Sequence, residues 1–197
     1  MKEFFEIEKS CNDCNARAGI LRTSFNEIET PVFMPVGTQG TVKAIDTIGL
    51  KNTGSRIILG NTYHLYLRPG INILQSFGGL RKFMRWDGSL LTDSGGYQVF
   101  SLKELRKLTE EGVEFRSHID GSKHFFSPEK VIEIQRYIGT DIMMPLDECT
   151  EYPSEKSEAE KSMELTLRWA ERNKKAFKGS FCPYSHEQFL FAIGQGS

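Results

Sequence analysis

Hydrophobic and polar residues follow two different patterns along the chain. In residues 4–34 they alternate loosely between turn residues such as Gly19 and Asn26, which predicts a short β-meander. Further along, short continuous apolar runs end at glycine or polar residues, and amphipathic stretches follow them. These runs are residues 56–59, 89–92, 141–144 and 189–193. Continuous apolar runs of this length are typical of parallel strands buried on both faces.

Two helices are predicted from their end signals and their periodicity. The first begins at the N-cap Ser127, has Pro128 in its first turn and ends at Gly139. The second covers about residues 154–178, and its apolar residues recur at helical spacing. We expect the buried stripe of that helix to consist of Ala159, Met163, Leu167, Ala170 and Phe177.

Residues 113–126 interrupt the alternation of strands and helices. They alternate around Asp120-Gly121, the strongest short hairpin signal, and so predict a β-hairpin inserted between two βα units. Trp86 and Trp169 are predicted to be core residues.

Strand–helix alternation predicts an α/β fold with a parallel sheet. An open doubly wound sheet and a TIM (β/α)8 barrel both place functional residues at the carboxyl ends of strands, so this pattern leaves both open. Four clear strand ends, or five units, fit into 197 residues, whereas a complete barrel needs about 250 residues. We therefore expect a single domain over 1–197 that holds half a barrel. It comprises a β-meander over about 1–34 and the first βα units over about 35–197.

Charge and hydropathy exclude some classes of protein. Lys and Arg number 25 against 26 Asp and Glu, for a net charge of -1. This balance excludes a generally basic nucleic-acid coat, although not a local basic face. No apolar run reaches the length of a membrane span, and the first ten residues do not resemble a secretory signal. We therefore expect a cytoplasmic protein with no membrane contact.

The four cysteines do not make a recognisable metal motif. Cys11 and Cys14 form a single C-x2-C, and Cys149 and Cys182 do not form a second close pair. We therefore expect four reduced thiols and no metal site in this chain.

The densest group of chemistry-bearing residues is Asp93-Ser94-Gly95-Gly96-Tyr97-Gln98. A strand delivers the carboxylate to its carboxyl end, and two glycines let the backbone turn tightly and approach a ligand. The amides of residues 94–96 can bind an anion or a carbonyl oxygen, and Tyr97 offers a flat face for stacking. A tight turn capped by Asp93 explains the same residues without a ligand, so the spacing leaves both interpretations open.

A second group follows the apolar run 141–144. Asp147 can accept two parallel N–H bonds, such as those of the N1–H and 2-amino edge of guanine, or it can cap the next turn. Gln195 can donate to a carbonyl such as guanine O6, while Asn61 and His64 can line a pocket or hold a neighbouring carboxylate. Together these residues suit a planar, hydrogen-bonding ring. Paired carboxylates also suit glycosidic bond cleavage.

Four motifs in order resemble the tRNA-guanine transglycosylase family, also called queuine tRNA-ribosyltransferase, and its bacterial type most of all. They are ETPVFMPVGTQGTVK (29–43), LGNTYHL (59–65), LTDSGGYQVF (91–100) and DEC (147–149), and the resemblance covers about residues 5–197. It implies a (β/α)8 barrel with an N-terminal β-sheet. It also implies that guanine at the tRNA wobble position is exchanged for 7-aminomethyl-7-deazaguanine in queuosine biosynthesis, through a covalent RNA–enzyme intermediate formed by an aspartate.

The resemblance also implies roles for individual residues. Asp93 matches the general acid/base, Tyr97 the residue that stacks on the base, and Asp147 and Gln195 the residues that read guanine. The remaining pocket residues by this resemblance are Ser94, Gln98, Cys149, Asn61 and His64. Such a pocket fits a base flipped out of a single-stranded loop. The expected partners are the tRNA anticodon loop, guanine and 7-aminomethyl-7-deazaguanine, and the family is typically homodimeric.

The resemblance also implies what these 197 residues lack. The family's nucleophilic aspartate and the Cys/His ligands of its structural Zn²⁺ are expected C-terminal to residue 197, and neither Cys11 nor Cys14 belongs to that zinc site. We therefore expect no cofactor in this chain and no base exchange by the chain alone. Two alternatives stay open: a fragment that binds guanine or deazaguanine and needs a separate C-terminal half, and an unrelated barrel glycosidase.

Overall fold

The computed structural model describes residues 3–102 and 106–194. Its strands are β1 (Phe5–Ser10), β2 (Arg17–Arg22), β3 (Glu27–Thr30), β4 (Ile57–Gly60), β5 (Ser89–Thr92), β6 (Arg106–Leu108), β7 (Val113–Arg116), β8 (Lys123–Phe126), β9 (Ile142–Met143) and β10 (Phe189–Leu190). Its α-helices are α1 (Thr47–Asn52), α2 (Thr62–Leu65), α3 (Ile71–Phe77), α4 (Leu80–Met84), α5 (Gly96–Ser101), α6 (Pro128–Ile138) and α7 (Lys156–Gly179).

The parallel strands lie in the order in which they occur in the chain. β4 pairs with β5, β5 with β9, and β9 with β10, each in parallel. Before β4, Val36 forms a parallel bridge to Leu59, which extends the same order by one position. A doubly wound sheet contains a reversal of strand order. The described strands show no such reversal, which favours the arrangement of consecutive βα units, and closure into a barrel stays a prediction.

The two faces of the parallel sheet have different partners, because successive side chains of a strand point to opposite faces. Ile58 and Leu90 pack in one buried cluster with Val131 of α6 and Trp169 of α7. The opposite face carries their neighbours in the chain, in a second buried cluster. This second cluster contains Ile57, Leu91 and Ile142 together with Leu21 and Ile28 of the N-terminal sheet.

The predicted β-meander is an antiparallel sheet with the order β1-β2-β3. It lies against the beginnings of the parallel strands. Asn26 Nδ2 donates to the carbonyl of Arg56 at 2.8 Å, and a hydrogen bond of 2.8 Å joins the hydroxyls of Thr23 and Ser89. The N-terminal sheet therefore covers the end of the parallel sheet opposite to the carboxyl ends of its strands.

Helix α6 has the ends that its sequence predicts. The Ser127 hydroxyl accepts the N–H of Lys130 at 3.2 Å, and Pro128 is the first helical residue. Gly139 ends the helix in the left-handed conformation, at φ 76°.

Helix α7 forms close to its predicted position, but the prediction of its buried stripe was wrong. Met163 and Leu167, expected to be buried, are 55% and 59% exposed. The buried residues are Ser162, Leu165, Trp169 and Asn173. The two polar residues of this face, Ser162 and Asn173, pack against the loop after β9. There Asn173 Nδ2 donates to Leu146 O and Asn173 Oδ1 accepts the Leu146 N–H, both at 3.2 Å. A buried face that contains Ser and Asn cannot be recognised by hydrophobicity.

The predicted hairpin is present and belongs to a larger sheet. β7 and β8 pair antiparallel around the turn that contains Gly121, at φ 72°, and β6 adds a third strand. Phe115 and Phe126 are fully buried in the first cluster. The hairpin therefore packs firmly onto the βα units. Trp86 and Trp169 are 3% and 1% exposed, which confirms both as core residues.

Candidate functional site

Three donors hold the Asp93 carboxylate just past the end of β5. Asn61 Nδ2 and Gln98 Nε2 donate to Asp93 Oδ2 at 2.5 and 3.0 Å. The backbone N–H of Thr62 donates to Asp93 Oδ1 at 2.8 Å, and the Thr62 hydroxyl donates to the Asp93 carbonyl at 2.5 Å. The ends of β4 and β5 are therefore joined through Asp93, and its carboxylate has one orientation.

Burial raises the pKa of Asp93 above its ordinary value, and the donors Asn61, Thr62 and Gln98 only partly oppose that rise. A carboxyl group with a raised pKa is easier to protonate near neutral pH. This is the property required of a group that both gives and takes a proton.

Two glycines after Asp93 bring the backbone close to the next strand end. Gly95 has φ 83°, a left-handed conformation that favours glycine. A Cβ on Gly96 would lie 2.7 Å from the carbonyl oxygen of Asp147 and 3.0 Å from its Oδ1. The residue at position 96 must therefore be glycine for the loops after β5 and β9 to come this close.

Ser94 connects the two acidic residues predicted for the site. Its hydroxyl donates to Asp147 Oδ1 at 2.8 Å and accepts the N–H of Gly96 at 3.0 Å. Asp147 is only 6% exposed, and burial raises its pKa, with a further increase from the nearby charge of Asp93. The structure thus brings the two carboxylates into one site.

Cys149 lies beside Asp147, with its sulfur 3.7 Å from Asp147 Oδ2. Burial, together with the Asp147 carboxylate, raises the pKa of this thiol to about 12, so it is uncharged at neutral pH. With Phe100 and Arg106, Cys149 also lines a cavity of about 680 Å³. Asp93, Ser94, Tyr97 and Asp147 are not among the residues that line this cavity.

Tyr97 stands at the exposed side of the site. It is 68% exposed on α5, and its ring centroid lies 6.5 Å from that of Phe100. Its neighbours in the chain, Gly96 and Gln98, are in contact with the two carboxylates. The Tyr97 ring is therefore anchored beside the site while its face stays accessible.

His64 is half-buried near Asp93 and packs against two aromatic rings. The ring centroids of Tyr63 and His118 lie 5.1 and 5.7 Å from that of His64, both edge to face. Burial is the main cause that lowers the pKa of His64, His118 lowers it further, and Asp93 opposes the change. His64 is therefore mostly neutral at pH 7.

The structure adds contacts that the sequence did not indicate. The backbone N–H of Thr62 donates to the Asp93 carboxylate. A backbone donor cannot be recognised from the residue type, because nearly every residue has one. His118, in the turn between β7 and β8, contacts Tyr63 and His64. Gln195 lies outside the described residues.

Among the residues that the structure describes, no group of three or more His, Cys, Asp or Glu side chains could hold a metal ion. Cys11 and Cys14 are free and exposed. No described helix is both long enough and apolar enough to span a bilayer.

Fold and site together define an α/β protein with two carboxylates at the carboxyl ends of adjacent parallel strands, where proteins of this class bind ligands. The family model described as Queuine tRNA-ribosyltransferase matches residues 11–197. The chain belongs to the queuine tRNA-ribosyltransferase family, a family of pentosyltransferases that modify tRNA.

Curated proteins named queuine tRNA-ribosyltransferase are similar over nearly the whole chain. The one from Thermoanaerobacter pseudethanolicus is 60% identical over 192 residues, which make up 98% of this chain and 50% of that protein. The protein from Koribacter versatilis is 55% identical over an alignment of 207 residues that covers 100% of this chain and 53% of that protein. The protein from Aquifex aeolicus is 53% identical over an alignment of 201 residues that covers 98% of this chain and 52% of that protein. The chain thus spans about half the length of these relatives.

Proposed function

We propose that this chain provides the base-binding site for tRNA-guanine transglycosylation. In that reaction guanine at the wobble position of tRNA is replaced by 7-aminomethyl-7-deazaguanine, on the route to queuosine. The observation that carries the proposal is the pair of carboxylates at adjacent strand ends, the half-buried Asp93 and the buried Asp147, which Ser94 and Gly96 hold together. The family supports the same substrate.

Asp147 reads the base. A carboxylate accepts two parallel N–H bonds, and the N1–H and 2-amino group of guanine, or of its deaza analogue, present two such donors side by side. The hydroxyl of Ser94 fixes the carboxylate from one side. Tyr97 stacks on the ring through its exposed face, and Gln195 donates to O6.

Asp93 moves the proton. A base that leaves ribose must gain a proton, and the incoming base must lose the proton on its ring nitrogen when the new bond to ribose forms. Burial raises the pKa of Asp93, so this carboxyl group can hold a proton between the two steps. Asn61, Gln98 and the N–H of Thr62 keep its two oxygens in place.

The RNA partner is the tRNA anticodon loop, whose wobble base must be flipped into the site. A tRNA substrate places this activity in the cytoplasm, and a homodimer is the proposed assembly. The covalent step needs the nucleophilic aspartate, and the structural Zn²⁺ needs its ligands; family resemblance assigns both to positions outside these 197 residues. The chain alone is therefore proposed to bind the base without exchanging it.

Calorimetric titration of the 197-residue chain with guanine tests the binding site. We expect saturable binding that Asp147→Asn weakens by at least tenfold, since an amide cannot accept both N–H bonds. The matched control is Asp120→Asn, which removes a carboxylate from the exposed hairpin turn. Absence of binding up to the solubility limit of guanine, or equal affinity in the two variants, would contradict the proposal.

Exchange of labelled guanine into tRNA tests whether the chain binds the base without catalysing its exchange. We expect no incorporation by the chain alone. Incorporation by the chain alone would show that the nucleophile lies within these residues and would refute the proposed role of the chain as a binding unit.

A further inference from the structure

The hairpin of β7 and β8 is joined to the segment after β4 by two tyrosine–histidine hydrogen bonds. Tyr63 Oη and His118 Nδ1 are 2.7 Å apart, and Tyr66 Oη and His124 Nδ1 are 3.1 Å apart. The two bonds connect the same two parts of the fold, but they lie at different distances along the chain from the Asp93 site.

The first of these bonds is adjacent to the donors that hold Asp93. Tyr63 directly follows Thr62, whose N–H donates to Asp93 Oδ1, and directly precedes His64. Tyr63 is 2% exposed, and a Cβ on Gly95 would lie 3.2 Å from the Tyr63 nitrogen. Tyr63 therefore packs tightly against the loop that carries Asp93. Tyr66 is one helical turn further on and has no contact of this kind with residues 93–98 among those described.

We propose that His118 is a positioning residue for Asp93, acting through its hydrogen bond to Tyr63, which fixes the beginning of α2 and with it the Thr62 N–H that holds the carboxylate. As a role in catalysis, this inference rests on the proposed function.

The physical reason is the burial of the Tyr63 hydroxyl. A buried hydroxyl without a partner is unfavourable, so Tyr63 moves if His118 is lost. Because α2 has only four residues, from Thr62 to Leu65, such a movement is transmitted to its first N–H. The His118 ring also stacks on Tyr63 at a centroid distance of 5.5 Å and a ring angle of 25°, which restricts the tyrosine further.

The test compares variants at the two tyrosine–histidine bonds in the full 197-residue chain. His118→Phe keeps an aromatic ring and removes Nδ1. His118→Asn retains a polar atom near the Nδ1 position and is the conservative rescue. His124→Phe cuts the second bond of the same interface and is the matched control.

The readouts are the pKa of Asp93, followed by carbon NMR of the carboxyl group without ligand, and the thermal unfolding midpoint. The Thr62 N–H lowers the pKa of Asp93, so its displacement by His118→Phe should raise that pKa by about 0.5–1, the effect of weakening one hydrogen bond. His118→Asn should restore most of the original value. His124→Phe should leave the pKa unchanged while lowering the unfolding midpoint to a similar extent.

Equal shifts of the Asp93 pKa in the His118→Phe and His124→Phe variants would reduce His118 to a structural role and overturn the proposal, as would no shift in His118→Phe. If His118→Phe does not fold, Tyr63→Phe, which removes only the hydroxyl, should give the same rise, and no rise in that variant would also overturn the proposal. Because the pKa is measured without ligand, failure of guanine to bind the unmodified chain would refute the proposed function and leave this test intact.

Discussion

The hydroxyl of Ser94 donates to Asp147 Oδ1 at 2.8 Å, a bond between residues 53 positions apart in sequence. Ser94 follows β5 and Asp147 follows β9, so the bond ties the ends of two neighbouring parallel strands. It exists because Gly96 lets the backbone approach Asp147. The shape of the site therefore depends on small residues as much as on the acidic ones.

Gly96→Ala should disrupt this contact. The added Cβ would meet the Asp147 backbone at 2.7 Å, and backbone cannot move aside cheaply, so we expect a loss of about 1–3 kcal/mol of unfolding free energy and weaker guanine binding. Urea unfolding measures the loss. Gly179→Ala is the control, because nothing lies within 4 Å of a Cβ at that position. The same midpoint for both variants would contradict the proposed close approach.

The stability of the Asp147→Asn variant, compared with that of the unmodified chain, should increase from acid to neutral pH. Burial raises the pKa of Asp147, so the folded chain binds more protons than the unfolded chain between the ordinary value of 3.8 and the raised value. The stability of the unmodified chain falls as pH rises through that window, and the asparagine variant avoids this loss. Thermal unfolding from pH 3.5 to 7 should show the variant gaining relative to the unmodified chain.

Asp120→Asn should have the opposite dependence on pH. Hydrogen bonds from the hydroxyl and N–H of Ser122 lower the pKa of Asp120 to about 2, so its contribution is present above its ordinary value and is lost as pH falls towards 2. This variant should be less stable than the unmodified chain at pH 7 and equally stable in strong acid. Parallel changes in the two variants would show that their carboxyl groups do not differ in environment.

The thiols should differ in their rate of reaction with a disulfide reagent at pH 8. Cys149, with a pKa of about 12, has roughly one thiolate in ten thousand at that pH and should react slowly. Cys11 is exposed, and the N–H of Asp13 is the main cause that lowers its pKa, so it should react fast. Cys11→Ser should remove part of the fast phase and Cys149→Ser should not. A fast phase lost in Cys149→Ser would contradict the burial of that thiol.

Two leucines on α7 test which face of the helix is buried. Leu165 is 8% exposed and Leu167 is 59% exposed. Leu165→Ala should cost about 2–5 kcal/mol of unfolding free energy, whereas Leu167→Ala should change it by less than about 0.5 kcal/mol. Chemical unfolding of the two variants measures both values. A larger loss of unfolding free energy in Leu167→Ala than in Leu165→Ala would show that the face predicted from hydrophobicity is the buried one.

Local signals predicted the elements that lead to the site. Helix α6 has its Ser127 cap, its proline and its terminal glycine where the sequence places them, because a cap involves only residues within one helical turn. Asp93 and Asp147 were recognised as candidates since each follows an apolar run, and the carboxyl ends of parallel strands meet at one edge. Residue types and their order also indicated the family, which the comparisons confirm.

The buried face of α7 and the partners of Asp93 needed the tertiary structure. Asn173 is buried because it binds Leu146, 27 residues away, and the sequence around Asn173 contains no trace of that partner. The same holds for His118, which meets Tyr63 across 55 residues. The sequence by itself determined where strands and helices form and which carboxylates lie at strand ends, since these depend on neighbours in the chain. Only the tertiary structure decided which polar atoms pair and which faces are buried, because burial depends on residues brought together from distant parts of the chain.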